Sequence, residues 1–416
     1  MKFISESHEN CWNAALKLLV PTQKELEHGL ELHQSLFAID HFGFLPYATW
    51  NEAFVELWNE LKAKNIGQRE LSERMSHVHY DQCCFNPECA DRFRKIMRAS
   101  GLNCMVHSVG EGKTREDDFK SMADTIQLMR VFHDTVVQAG TSADIKKIND
   151  EGKIAVIWSV NGPPFAGSLV SLRDEIEWVD VWERMGVRLM HMSYNRRNFA
   201  ADGCAEQANA GLSALGRELV HYLNKAGIII DVAHTGEKSS IEAAQVSEKP
   251  IMASHTASKT LFDFIRNKSD ETLRVIADKG GLIGVYAVSS MLGGNGDLLM
   301  MLEHIRYIAN LIGSDHVGIG TDGRYMHLWP TSHLVTTYEN AEFSDRWWGN
   351  WAEFPNPNKK NIPTPNESHY GTLAWLNWPL FTVGLVKNGF SDEEIANILG
   401  KNFLRVLTAN RSDSQG

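Results

Sequence analysis

Residues 228–234 read IIIDVAH and residues 250–256 read PIMASHT. Each is a short apolar run that carries a histidine at or near its end, His234 and His255. A continuous apolar run of this length marks a parallel strand whose two faces are both covered by helices. The intervening residues, 235–249, are long enough to form the crossover helix that joins two parallel strands. Both histidines then stand at strand C-terminal ends, the end of a parallel barrel where its chemistry is placed. Two imidazoles there either share a metal ion or hydrogen-bond loop carbonyls, as strand-end histidines also do.

Similar runs flank this pair. LFAID (36–40), LNCMVHSV (102–109), KIAVIWSVNG (153–162), GVRLMHMSYN (186–195), GLIGVYAVSS (281–290) and HVGIGTDG (316–323) bring the strands to about eight, separated mainly by helical patterns. That alternation predicts an α/β fold, a (β/α)8 TIM-type barrel, with residues 1–416 as a single domain. Helical additions are expected at both ends: two helices within residues 1–34, and a helical tail over 373–407 with an N-cap at Ser391. A long amphipathic helix over 118–140 is expected to close at Gly140. A helical insertion spans 51–100. Within it, His77, His79, Cys83, Cys84 and Cys89 mix thiols with imidazoles, but not at the Cys-x2–4-Cys spacing of closed zinc sites. A loop with buried thiols is the plainer reading. Residues 343–370, rich in Trp and Pro, read as a lid or an interface loop, which makes a homodimer plausible.

Composition narrows the function classes. Of 416 residues, 43% are hydrophobic and 22% charged; the net charge is −11, the pI about 5.9, and there is no basic run. Nothing here points to nucleic acid or to an anionic membrane surface, so a small-molecule substrate is expected. No uninterrupted apolar segment reaches membrane-spanning length, and the six cysteines do not make a disulfide scaffold. Both observations suggest a cytoplasmic protein with reduced thiols.

Several segments together resemble the membrane (renal) dipeptidase family, peptidase family M19, of the amidohydrolase superfamily. They are GKIA (152–155), GVRLM (186–190), NRRN (195–198) with ADGC (201–204), GLSALGRELV (211–220), IIIDVAH, PIMASHT, IRNKSDE (265–271), DHVGIGTD (315–322) and ILGKNFLRVL (398–407), in family order. The resemblance implies a barrel with two zinc ions. These are held by a His-x-Asp pair after the first strand, a bridging Glu after the third, and histidines after the fifth and sixth. The last two map onto His234 and His255. The first-strand pair falls on Phe42 and Phe44, with His41 available only through a shifted loop, and the bridging position is Asn161. A neutral amide does not bridge two dications as a carboxylate does. The expected cofactor is therefore at most one Zn2+ or other divalent ion, or none.

The resemblance also implies roles for other residues. Asp322 falls on the acid that accepts a proton from the attacking water, and Arg266, with Asn267 beside it, on the group that binds the substrate carboxylate. Tyr194 replaces the histidine that polarises the scissile carbonyl, and it can still donate a hydrogen bond to an oxyanion. His191 is an extra site group or a core histidine. Three readings stay open. The first is a hydrolase of a small carboxylate-bearing dipeptide or N-acyl amino acid with one ion. The second is a lyase, isomerase or decarboxylase of an amino-acid-derived metabolite. The third is an inactive binding protein.

Overall fold

The computed structural model describes residues 3–46, 52–64, 68–110, 114–163, 171–325 and 367–411. Most of the Trp- and Pro-rich segment 343–370 lies outside the described residues. Among the described residues nine parallel strands form the sheet: β1 Ile39–Gly43, β2 Cys104–Gly110, β3 Val136–Gln138, β4 Ile154–Val160, β5 Val187–His191, β6 Ile229–Asp231, β7 Met252–Thr256, β8 Leu282–Val285 and β9 Val317–Ile319. Their order is β1-β2-β4-β5-β6-β7-β8-β9, with β3 beside the first half of β4. The eight strands of that path are the eight apolar runs of the sequence, and the helix Glu237–Val246 crosses between β6 and β7 as required.

The ring is drawn together where β1 meets the residues after β9. Asp322 N–H donates to Phe42 O, and Phe44 N–H donates to Gly323 O, each at 2.9 Å. Inside, Ile39, Val106, Ile157, Leu189, Ile229, Met252 and Leu282 pack with Phe403, Val406 and Leu407 of the last helix, Asn402–Asn410. That helix lies across the N-terminal ends of the strands, since Asn402 Nδ2 donates to Val317 O and Asn410 Nδ2 to Pro250 O. The outward faces of the strands pack on the surrounding helices through residues such as Val156, Trp158 and Ile283 against Trp182, Leu219, Ile276 and Ile305. With its lower end plugged, the barrel offers its upper, C-terminal end to a ligand.

Two local expectations are corrected. The helix expected to run to Gly140 is Arg115–Val131, and the chain then turns at Phe132 into β3. The β-branched pair Val136 and Val137 gains a ladder on Ile154 and Ala155 that a helix would forgo. The stretch 77–89, expected as a loop, is helical: Gln68–Phe85 runs almost into Pro87–Ala99, with Asn86 Oδ1 capping Glu88 and Cys89 amides. Cys83 and Cys89 are buried, whereas His77 pairs with Asp124 at 2.8 Å and His79 lies tilted against the Phe54 ring.

A carboxylate sits at the seam between β1 and β9. Asp40 accepts from Thr321 N at 2.8 Å, Thr321 Oγ1 at 2.6 Å and Trp375 Nε1 at 3.0 Å. It is wholly buried, and burial pushes its carboxyl up to about 7 against the pull of those donors. The folded state thus keeps the proton to higher pH than the unfolded chain does. The stability from this group is complete below the unfolded pKa and is lost as pH rises towards 7, by on the order of 4 kcal/mol. Urea unfolding of wild type and Asp40→Asn should show the wild type losing ground to the variant between pH 4.5 and 7.5. A difference independent of pH contradicts this account of the seam.

Candidate active site

The upper end of the barrel gathers three histidines. His191 ends β5, His234 follows β6, and His255 lies in β7; all are buried. They offer one ligand atom each, all within 4.8 Å of one another, and are the one such group of three among the described residues.

Hydrogen bonds decide which nitrogen of each ring is available. His234 Nδ1 lies 2.7 Å from Asn195 Oδ1, which also accepts from Cys204 Sγ. A carbonyl oxygen only accepts, so Nδ1 carries the proton and Nε2 keeps its lone pair. His191 Nδ1 likewise donates to Val160 O at 3.2 Å, which leaves Nε2 as the basic atom. That Nε2 is buried without a hydrogen-bond partner; Asp231 Oδ2 approaches it at 3.3 Å without hydrogen-bond alignment and is itself unsatisfied. His255 Nδ1 contacts Ser254 Oγ at 2.8 Å, a partner that can donate or accept. Its Nε2 faces His234 Nε2 at 2.9 Å. Two facing imidazole nitrogens at that distance hold a proton or a cation between them.

Electrostatics keep the rings neutral. Burial pushes His234 and His255 well below the usual histidine range, and the Arg266 charge lowers them further. Burial lowers His191 too, although Asp231 opposes it. Neutral imidazole is the form that ligates a metal.

Aromatic rings wall the histidines in. Phe42, at one of the expected ligand positions, stacks on His255 with centroids 4.1 Å apart and meets His191 edge-on at 5.5 Å. It is 1% exposed, so it fills the space beside the histidines rather than lining an open cleft. Tyr194 stacks on the other side of the pair, 4.0 Å from His234. Phe44 lies against Phe42 at 5.6 Å, half-buried. Asn161, at the end of β4, accepts from Ser108 Oγ at 3.2 Å and follows the carbonyl that takes His191 Nδ1.

Asp322 stands at the end of β9, tied by its amide to Phe42 O. Its backbone is left-handed, with φ of 52°. Non-glycine residues hold that conformation rarely, and at strand ends it re-aims a side chain. Three expected site residues are placed differently from the reading of the motifs. His41 points down the barrel, stacked on Phe403 at 5.4 Å and packed where any side chain at Gly318 would clash. Asn267 is committed to the loops, donating to Phe262 O at 2.8 Å and Met291 O at 3.2 Å and accepting from Tyr286. Arg266 is 1% exposed and braces the two strand ends, donating from Nη1 to Ala233 O and from Nη2 to His255 O. Beside it, Lys268 donates to Thr235 O and Ser240 Oγ, and burial brings its ammonium down to about 8.

Asp231 and Asn195 were not singled out from the sequence. Asp231 sits in IIIDVAH, where it accepts from Ala233 N at 2.9 Å and Ser254 N at 3.1 Å and so ties the two histidine-bearing ends together. An acid inside an apolar strand was the available signal.

The family model of the membrane dipeptidases, peptidase family M19, matches residues 31–331. The chain belongs to the membrane dipeptidase family. Among its relatives, dipeptidase tcpJ of Claviceps purpurea is 27% identical over 310 residues, covering 70% of this chain and 62% of that one. Dipeptidase aclJ of Aspergillus oryzae is 26% identical over 301 residues, covering 67% and 65%. The chain thus spans less than two thirds of the length of these two members. Of solved structures, an amidohydrolase from Pseudomonas aeruginosa aligns with a TM-score of 0.66 at 26% identity, covering 92% of this chain and 98% of that one. The probable dipeptidase PvdM from the same organism shares the fold, with a TM-score of 0.64 at 20% identity and coverage of 94% and 99%. Among the described residues no helix is long and apolar enough to cross a membrane.

Proposed function

We propose that this dipeptidase-family barrel is a hydrolase of a small carboxylate-bearing dipeptide or N-acyl amino acid that works with a single divalent ion, Zn2+ or a close substitute. The observation that carries the reading is the convergence of three neutral imidazoles, one of them with a buried, unpartnered Nε2, at the C-terminal ends of β5, β6 and β7. That donor set suits one ion of zinc type. It does not suit two, because Phe42 occupies the first-strand position and no carboxylate replaces the bridging group at Asn161. His191, His234 and His255 would hold the ion, whose bound form supplies a water acidic enough to be deprotonated near neutral pH.

The remaining steps belong to the chain. Asp322 takes the proton of the attacking water and returns it to the leaving amine, as a general base and then acid. Tyr194, held flat on His234, donates its hydroxyl hydrogen to the developing oxyanion. Phe42 and Phe44 keep that side of the site dry and favour an apolar substrate group. The names of the relatives, both dipeptidases, support amide hydrolysis.

One observation favours a second reading. His234 Nε2 and His255 Nε2 lie 2.9 Å apart, close enough to share a proton as an acid–base pair able to serve a lyase or isomerase without an ion. A dipeptide panel assayed after chelation and after readdition of zinc or manganese separates the two. The hydrolase reading expects activity to vanish with chelator and return with the ion, and Asp322→Asn to lower kcat by roughly a hundredfold or more with KM little changed. Wild-type kcat in Asp322→Asn sinks the assignment of the base.

A further inference from the structure

We infer that the Asn161 carboxamide donates from Nδ2 to the carbonyl oxygen of the scissile amide and holds that oxygen more strongly as it becomes an oxyanion. The inference deepens the hydrolase reading and rests on it. Its first support is position. Asn161 directly follows β4, and Val160 pairs with Met190, so the register brings Asn161 level with His191 on the next strand. Neighbouring strands lie about 5 Å apart, and alternate residues of a strand share a face. Ile157, Ser159 and Asn161 therefore climb the inside of β4 as Leu189 and His191 climb the inside of β5. The carboxamide stands in the histidine layer.

The second support is how the amide is held. Ser108 Oγ, on the inside of β2, lies 3.2 Å from Asn161 Oδ1 and 3.1 Å from Gly110 O, and its hydrogen serves both acceptors. The Asn161 backbone N–H donates to Gly110 O at 2.9 Å. One end of the planar group is thus fixed to the wall, which aims the other. Among the described residues nothing accepts from Nδ2. Asn161 is only 3% exposed, so this donor is kept nearly dry without a protein partner. Buried donors are paired as a rule, and one left open at the C-terminal end of a barrel is placed to meet a ligand. Ser159 Oγ and Asn195 Nδ2 are unpartnered as well, but both are sealed from solvent, and Asn161 Nδ2 is not.

A carboxamide suits the task where a carboxylate does not. When the oxygen of water adds to the carbonyl carbon, an electron pair of the C=O bond moves onto its oxygen, and N–H donors already aimed there stabilise the charge. A carboxylate at this position only accepts hydrogen bonds and repels that charge. Asn161 brings two N–H hydrogens and no charge, and Ser108 has oriented it beforehand. Tyr194 meets the same oxygen from the side of His234, on which it stacks, and Asn161 from the side of β4. The residue that leaves no bridge for a second ion thereby becomes a donor to the reacting carbonyl.

Binding of a transition-state mimic tests this without turnover. Two isosteres of the dipeptide Ala-Ala serve: the phosphinate, whose tetrahedral oxygens carry the charge of the oxyanion, and the trans-alkene, which has no oxygen there. Each would be titrated calorimetrically into wild type, Asn161→Leu and Asn161→Asp holding one equivalent of zinc. Asn161→Leu should bind the phosphinate roughly a hundredfold more weakly than wild type, the usual cost of one oxyanion donor, and the alkene within about twofold of it. Asn161→Asp keeps the shape and the contact with Ser108 but loses the donor, and should bind the phosphinate more weakly still. A side chain that merely fills space predicts equal losses for both ligands in Asn161→Leu and none in Asn161→Asp; either result overturns the inference, as does wild type that does not bind the phosphinate. If wild type hydrolyses dipeptides while its phosphinate affinity is indifferent to Asn161, the inference alone falls. If that affinity depends on Asn161 yet no dipeptide is hydrolysed, the donor stands and the hydrolase reading falls.

Discussion

His234→Ala and His255→Ala should each strip the protein of its divalent ion and lower hydrolysis by at least roughly a thousandfold. The expectation follows from how few ligands there are. With imidazoles alone in the donor set, removing one of three leaves two, which do not retain zinc through purification. His234 has the more elaborate support: Asn195 Oδ1 accepts its Nδ1 proton at 2.7 Å and so aims Nε2 at His255. Asn195→Ala should therefore weaken metal affinity by about 10- to 100-fold without abolishing binding, the usual cost of losing an outer partner. Metal titration of the three variants checks the ranking. His255→Ala that still carries one equivalent would remove it from the ligand set.

Phe42→Ala should be the most destabilising single change near the site, costing about 3–5 kcal/mol. Phe42 is 1% exposed and packs face-on against His255, edge-on against His191 and edge-on against Phe44. Truncation removes a whole ring from a closed cage, and neighbours anchored on three strands cannot collapse to fill it. Phe44→Ala should cost less than half as much, because its ring is half-buried and already meets solvent. Urea denaturation of both variants measures the difference. A loss below about 1 kcal/mol for Phe42→Ala would mean that the ring is not the keystone of the site.

The barrel was legible because its signal is repetitive. Eight apolar runs alternate with helical patterns, and each run became a strand at nearly its expected place. β3 was hidden since its three residues, Val136–Gln138, come just after the turn that ends a helix and make no run of their own. Within the helical insertion expected over 51–100, the stretch 77–89 reads as a loop because its thiols and imidazoles interrupt the apolar pattern of the helix Gln68–Phe85.

At the site, strand-end residues were readable and side-chain direction was not. His234 and His255 are brought together because both follow apolar strands in adjacent units. His41 and Phe42 are neighbours in sequence, yet one stacks on Phe403 at the floor and the other on His255 at the mouth. An irregularity in the pairing of β1 between Asp40 and Gly43 separates them, and no residue type announces it. Arg266 shows the same limit: its motif is recognisable, but only the fold reveals that its guanidinium bonds two carbonyls of the strand ends.

The central claim is a barrel of a two-zinc family that has come to work with one ion. Elemental analysis of untagged protein, purified without chelator and then equilibrated with excess zinc, tests it most directly. The account predicts one tightly held equivalent per chain, absent from His234→Ala and His255→Ala. Two equivalents would contradict it, since Phe42 and Asn161 leave no place for the second, and a protein that takes up none after incubation with zinc, manganese and iron would contradict it equally.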